Sequence, residues 1–330
     1  MKRKTGIDIL RGLSMLYIVG FWHLLEYTHA IKHYQTPVTH RITWITLGTF
    51  FFLSGYLIGL KGINFTQKGL IKFYLKKVWR IYPLYLVALL WFTRLGISRV
   101  NMSIKAALGI SVFDGPAPPT LWFVAMIIAF YAVAPLLVYS CRNKNIYEYL
   151  LYNCIGMLAM YAYLHFTHLL ELRMLVYFSV FYLGIYAGVN EHVFTYKKTI
   201  ICLAVLSFML SYFTKVHALP LKIVTVVPMI TICPLLIVMV IKDIRISSYR
   251  LYGAFMIISY ASYCMYLFHR PIYIIANKLY FPENQWLQVV YLLGVCLPCV
   301  IAFSYVVQKT YDSALSYAMA WLPSGLVKKI

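Results

Sequence analysis

DILRGLSMLYIVGFWHLLEY, Asp8 to Tyr27, is the stretch whose reading decides the fold. It is apolar over about the 20 residues that a helix needs to cross the hydrocarbon of a bilayer. Yet Arg11 sits near its start and His23 near its end, and an ionisable group at membrane depth costs a few kcal/mol at least, so such residues usually face a polar cavity and do something there. Several other runs of the chain reach the same length and apolarity. Of its 330 residues 62% are hydrophobic and only 12% charged, which places it among all-α polytopic membrane proteins. The net charge of +21 does not indicate nucleic acid, because that needs a basic face on a soluble domain and here the basic residues punctuate the ends of apolar runs. No nucleic-acid partner is expected, and membrane lipid is.

Apolar runs between polar breaks give ten expected spans: Ile7 to Tyr27, Ile42 to Leu60, Ile81 to Ile97, Leu121 to Ser140, Tyr147 to Thr167, Leu172 to Val189, Thr199 to Thr214, Ile223 to Ile241, Ala254 to Ala276 and Trp286 to Val307. An even number returns both termini to one side. If that side is the cytoplasm, it collects most of the Lys and Arg, including Lys2, Arg3, Lys4, Lys328 and Lys329 at the ends, as the positive-inside rule requires. The expectation is therefore about ten transmembrane helices with both termini cytoplasmic, forming one domain over residues 1–330 in the inner or plasma membrane of a bacterial cell. MKRK at the start followed by an apolar run has the outline of a signal peptide, but Asp8 and Arg11 interrupt the run and no small-residue cleavage site follows, so the first helix is expected to stay as an anchor.

Between the spans, KGINFTQKGLIKFYLKKVWR (Lys61 to Arg80) spaces Lys68, Lys72, Lys76 and Arg80 at i,i+4 with apolar residues between. It reads as a basic surface helix lying on an anionic leaflet, ahead of the third span. FDGPAPPTLW (Phe113 to Trp122) is a proline-rich turn that launches the fourth span. The 30 tyrosines suit membrane interfaces, with some left for contacts inside the bundle. Seven cysteines, mostly within apolar spans, argue against a secreted disulfide framework. CLPC at Cys296 to Cys299 has redox spacing but lacks the second pair a metal site needs, and reads as helix packing; no metal is expected.

The residues with chemistry to offer are few. Arg11, Arg94 and Arg270 fall within spans, and Arg94 is close enough to an end to snorkel. His23 and Glu26 are three apart, neighbours on a regular helix, which lets the carboxylate orient the imidazole. In SYASYCMYLFHRPI, His269 and Arg270 are adjacent and diverge by about 100°, so one of them faces a given cavity; His269 is the better candidate, with Pro271 kinking or ending the helix.

DILRGLSMLYIVGFWH, FFFLSGYLIGL, KKVWRIYPLYL, LWFVAMIIAFYAVAPLL and ISYASYCMYLFHRPI occur in the order seen in the membrane-embedded acyltransferase-3 family, which the chain resembles from Asp8 to about Ile272. Members O-acylate sugars of cell-surface polysaccharides and related acceptors. The resemblance implies an acyl-CoA donor from the cytoplasm, acetyl-CoA by default, acting as co-substrate, and a glycan or lipid-linked sugar as acceptor. It puts the family's first-span arginine and histidine on Arg11 and His23. The second-span serine and glycine fall on Ser54 and Gly55, the arginine and proline that begin the third span on Arg80 and Pro83, the fourth-span tryptophan and tyrosine on Trp122 and Tyr131, and the late histidine on His269. Catalysis would then rest on His23 with Arg11 and Glu26, acyl-CoA binding on Arg11, Arg80 and Ser54, and acceptor binding or support on Trp122, Tyr131 and His269.

Two departures from the family pattern bear on this. The family commonly has ten residues between its arginine and histidine, whereas eleven, Gly12 to Trp22, stand here. Twelve regular helical steps leave the two about 120° apart, against about 20° for eleven. A one-residue π-bulge would absorb the difference, with Gly20 a suitable place. Many members also carry a glutamate between the tryptophan and tyrosine, where FVAMIIAF has no acid; Glu26 is a conceivable substitute. A rival class, a transporter or flippase for a lipid-linked sugar, would line its path with the same buried charges, but no internal repeat is visible. A purely structural scaffold leaves Arg11, His23 and His269 without a task.

Overall fold

The computed structural model describes residues 5–31, 33–214, 219–244 and 249–320; Lys2, Arg3, Lys4, Lys328 and Lys329 of the charge asymmetry lie outside them. The elements are helical throughout. In chain order they are α1 (Thr5–Tyr17), which runs on into a π-helical turn (Ile18–His23) and a 3₁₀ turn (Leu25–Tyr27), then α2 (Pro37–Lys61), α3 (Gln67–Arg94), α4 (Val100–Ala107), α5 (Trp122–Cys141), α6 (Ile146–Thr167), α7 (Leu172–Val189), α8 (Lys197–Phe213), α9 (Leu219–Ile241), α10 (Tyr249–Leu279), α11 (Gln285–Tyr291) and α12 (Leu297–Ala320). The ten expected spans fall on helical segments, the first running from α1 through the π-helical and 3₁₀ turns, the third overrunning α3, which ends at Arg94, and the tenth crossing α11, a π-helical turn (Leu292–Cys296) and the start of α12. Among the described residues six are long and apolar enough to cross a membrane: Thr5–Tyr27, Pro37–Lys61, Trp122–Cys141, Leu172–Val189, Ile223–Ile241 and Gln285–Tyr317.

Local sequence explains where several begin. Thr36 caps α2 in a reciprocal box with Thr39, with Pro37 in the first turn, where its missing N–H costs nothing. Asn145 and Glu148 form the same box at α6, and Lys144 braces Glu148 at 2.7 Å. The proline-rich turn ends, as its sequence suggests, where α5 starts at Trp122.

The chain divides into two compact units. The first is Met1–Ile7, Gln35–Leu70 and Ser98–Ile244, and its centre is the parallel crossing of α2 with α7. Gly55 and Gly59 on α2 face α7, and Gly184 and Gly188 on α7 face α2. A Cβ at any of the four would lie closer than 3.0 Å to backbone of the other helix: Gly55 to the Phe181 carbonyl, Gly59 to that of Ile185, Gly184 to that of Phe52 and Gly188 to that of Tyr56. Paired small-xxx-small stripes of this kind let backbones touch, which is how helices associate where lipid removes the hydrophobic drive. Around the crossing lie Phe51, Phe52, Tyr56, Phe130, Phe181, Tyr182 and Tyr186, all essentially without exposure. Many of the chain's tyrosines are thus bundle core rather than interface.

The second unit is Asp8–Tyr34, Ile71–Ile97 and Arg245–Ile330. Here α10 packs antiparallel to α12, with Phe268 and Trp91 of α3 both against Phe303, and with Tyr260 donating to Asp312 at 2.6 Å. α1 and α3 run parallel to α10: Asp8 takes the Ser259 hydroxyl while His23 meets His269, and the Ile81 carbonyl takes the Tyr263 hydroxyl at 2.7 Å while Trp91 meets Phe268.

α3 corrects the expectation of a separate basic surface helix before the third span. Gln67 to Arg94 is one helix that passes through Pro83. A proline inside a helix takes away the hydrogen bond to the carbonyl four residues earlier, here that of Trp79, and the Tyr311 hydroxyl donates to that carbonyl instead. With that replacement nothing between Gln67 and Arg94 stops the helix, so the lysines ride on its first half. Tyr311→Phe is expected to remove the replacement partner of the exposed Trp79 carbonyl at a cost of about 0.5–1.5 kcal/mol, read as a slightly lower thermal midpoint of the detergent-solubilised protein. α10 likewise continues through Pro271 to Leu279; the proline does not end it.

Candidate functional site

The site lies in the second unit, where the end of the first helix meets the second half of α10. The π-helical turn Ile18–His23 contains Gly20, the place suggested for a bulge by the departure from the resembled family's spacing. Removing one step of about 100° makes twelve residues turn like eleven and returns His23 to within about 20° of Arg11's face. The second unit's own residues stabilise the turn. The Tyr273 hydroxyl donates to the Val19 carbonyl at 3.1 Å, the Tyr34 hydroxyl to that of Trp22 at 3.3 Å, and Gly20 leaves room for Leu297, whose Cδ2 would lie 3.0 Å from a Cβ there. Widened helical turns expose carbonyls that need such partners.

The bulge delivers His23 to His269. Nδ1 of His23 and Nε2 of His269 are 2.9 Å apart, the ring centroids are 4.9 Å apart and the planes differ by 3°. Rings that are parallel and touch through single nitrogens at that centroid separation meet edge to edge rather than face to face, as a ring-to-ring hydrogen bond requires. His269 has no exposure; its Nδ1 lies 3.1 Å from the Met265 carbonyl and 2.9 Å from that of Tyr266. His23 is partly exposed, and among the described residues its Nε2 makes no hydrogen bond.

Glu26 is not the partner of His23. The i,i+3 argument assumed a regular helix, but the chain passes from a π-helical to a 3₁₀ turn between them, and the Glu26 carboxylate is taken by Arg270 at 2.8 Å, the two side chains 31% and 20% exposed. Both members of the adjacent His269–Arg270 pair therefore reach the end of the first helix, each to its own partner. Beside them Tyr27 packs edge-on against Tyr273 at 5.5 Å, and Thr28 donates to Gln288 at 2.8 Å, tying the following loop to α11.

Arg11 stands elsewhere. Twelve residues of helix put it about 18 Å from His23 along the axis, 4.0 Å from Asp8 and 28% exposed. Arg80, on α3, is exposed and has no ion pair among the described residues. The remaining candidates belong to the first unit, each in a setting of its own. Ser54 is partly buried on α2. Trp122 stacks near Tyr177 under the Arg173 guanidinium at 4.1 Å, itself held by Glu171 at 2.7 Å. Tyr131 meets Phe181 at 6.1 Å. The structure thus assembles His23 with His269 and adds Arg270 and Tyr273, which sequence reasoning passed over. The signal for Tyr273 was its spacing four residues after His269, on the same helical face.

No curated protein and no solved structure is similar enough to the chain to count as a match. A family model does match: an apolar helical chain whose first helix carries a histidine to a second histidine late in the sequence is covered from residue 4 to residue 307 by the model described as an acyltransferase domain, and the chain belongs to the acyltransferase-3 family.

Proposed function

We propose that the protein is a membrane O-acyltransferase that moves an acyl group, acetyl by default, from cytoplasmic acyl-CoA to a hydroxyl of a cell-surface or lipid-linked glycan, with His23 as the general base. The observation that carries this is the part-buried contact of His23 with His269, their rings parallel within 3°, at the far end of the helix that carries Arg11. In the transfer the acceptor hydroxyl gives its proton to His23, its oxygen bonds to the thioester carbonyl carbon, the carbon–sulfur bond breaks, and the coenzyme A thiolate leaves with the proton from the imidazolium. Positioned acid–base groups of this kind contribute about 10²–10⁴-fold. Arg11 and Arg80 suit the other end of the donor, as cations for its phosphates, and the thin pantetheine arm is of a length to bridge from there to His23. Arg11 therefore serves donor binding rather than the reacting atoms. The roles of Ser54, Trp122 and Tyr131 toward donor and acceptor rest on the family resemblance alone.

Ten spans with cytoplasmic termini fit this arrangement. Helices α1, α3 and α10 are the first, third and ninth of the expected spans and run parallel, while α12, the tenth, opposes α10; α2 and α7, the second and sixth, run parallel within their own unit. Arg11 and Arg80 then lie toward the donor's compartment and His23 toward the acceptor's. Membranes containing the protein, given acetyl-CoA labelled in the acetyl group, are expected to place alkali-labile label in the glycan fraction, as O-esters require. Movement of a lipid-linked sugar with no acyl donor present, and no label, would favour the transporter reading.

The π-helical turn yields its own prediction. Deleting Gly20 restores ten residues between Arg11 and His23, lets the helix close into a regular one and preserves the register on both sides, so transfer should stay within about tenfold of the wild type. Deleting Val19 and Gly20 together rotates His23 by about 100° and should abolish it. Parallel transfer assays of the two deletions decide the matter.

A further inference from the structure

We infer that His269 is the positioning residue for His23, holding it in the tautomer whose Nε2 lone pair is bare and available to take a proton. This rests on the reading of His23 as the base and deepens it. A carbonyl oxygen only accepts, so the His269 Nδ1 that faces the Met265 and Tyr266 carbonyls at 3.1 and 2.9 Å carries a hydrogen. In a neutral ring the other nitrogen is then an acceptor. That nitrogen, Nε2, faces Nδ1 of His23 at 2.9 Å, so with both rings neutral the hydrogen between them belongs to His23 Nδ1, and His23 Nε2 has none. The tautomer of the outer ring is thereby set by two backbone carbonyls of α10, relayed through the inner ring.

The relay also holds the ring's direction. The two rings lie parallel within 3°, and turning His23 about its ring bond would break the hydrogen bond that joins them. The full burial of His269 keeps water from replacing either contact. A group held behind a histidine base does this work in hydrolase triads, where loss of the correct tautomer alone lowers turnover about 10⁴-fold. There the group is a carboxylate; here an imidazole anchored on a helix backbone takes that place. The fourth-span interval without an acid is consistent with a site that orients its base in this way.

The test uses the full chain in nanodiscs with ¹⁵N-labelled histidine, the His23 signals being assigned by their loss in His23→Gln. The wild type is expected to show His23 protonated at Nδ1 and bare at Nε2. His269→Leu should lose that bias and lower acetyl transfer by about 10²–10⁴-fold, chiefly in kcat, with the KM for acetyl-CoA little changed. His269→Gln can place its amide oxygen where Nε2 was and accept from His23, so it should keep the tautomer and stay within about tenfold of wild-type transfer. If His269→Leu does not accumulate, the wild-type spectrum and the Gln variant still decide. A wild-type His23 protonated at Nε2 in an active enzyme overturns the positioning role alone. Equal transfer by the Leu variant and the wild type does the same. The expected tautomer in a protein that transfers no acyl group to any membrane fraction overturns the role and the acyltransferase reading together.

Discussion

Gly184→Leu is expected to leave no folded protein in the membrane. The position faces the Phe52 backbone so closely that even a Cβ meets the carbonyl inside 3.0 Å. Backbone cannot rotate aside as a side chain can, so the two helices must part. Parting them also unseats Gly55, Gly59 and Gly188, whose own contacts are equally close, and the aromatic side chains packed around the crossing lose their fit. Overpacking a well-packed site typically costs 1–3 kcal/mol, and four coupled close approaches raise that toward the whole stability of a marginal fold. Gly184→Ala is the graded version, expected to fold with a lowered thermal midpoint. Fluorescence-detected size exclusion after detergent extraction reads both: a monodisperse peak for Ala at reduced height, and aggregate or nothing for Leu. A monodisperse Leu variant at wild-type level would mean that the helices are not in backbone contact there.

His23→Gln is the change with the largest expected effect on chemistry. Glutamine is near histidine in size and can still hydrogen-bond His269, so the helix end and membrane level should be kept. It cannot take a proton, and kcat should fall by about 10²–10⁴-fold. Because Arg11 and Arg80 are untouched at the far end of the donor, the KM for acetyl-CoA should change little. Arg11→Ala should show the opposite division, a raised KM with a smaller loss in kcat, which separates a donor-binding arginine from a catalytic one. Initial rates over a range of acetyl-CoA concentrations, at matched protein levels, give both numbers.

Much of this site was legible in the sequence because helical phase is local arithmetic. The apolar runs locate the helices, and the one residue more between Arg11 and His23 than the resembled family has, put through that arithmetic, leads to the π-helical turn found at Ile18–His23. What failed did so where the arithmetic assumed regularity or needed distant partners. Glu26 was paired with His23 on the premise of an α-helix, and the change of helical type between them sends it to Arg270. The lysines before Arg80 looked like a helix of their own because charge density was taken as a boundary; the partner that lets α3 pass through Pro83 is Tyr311, too far along the chain for any periodicity to suggest. The contact of His23 with His269 spans 246 positions, and each histidine was visible without the other as its partner. The stripes Gly55 to Gly59 and Gly184 to Gly188 were not singled out in the sequence, and which stripe faces which is a tertiary fact.

The most direct test of the account is acetyl transfer by membranes carrying the wild type or His23→Gln at matched levels, given labelled acetyl-CoA and scored as alkali-labile label in the glycan fraction. The account predicts label with the wild type and background with the variant. Label from His23→Gln at the wild-type rate would contradict it, because the proton would then be leaving the acceptor by another route.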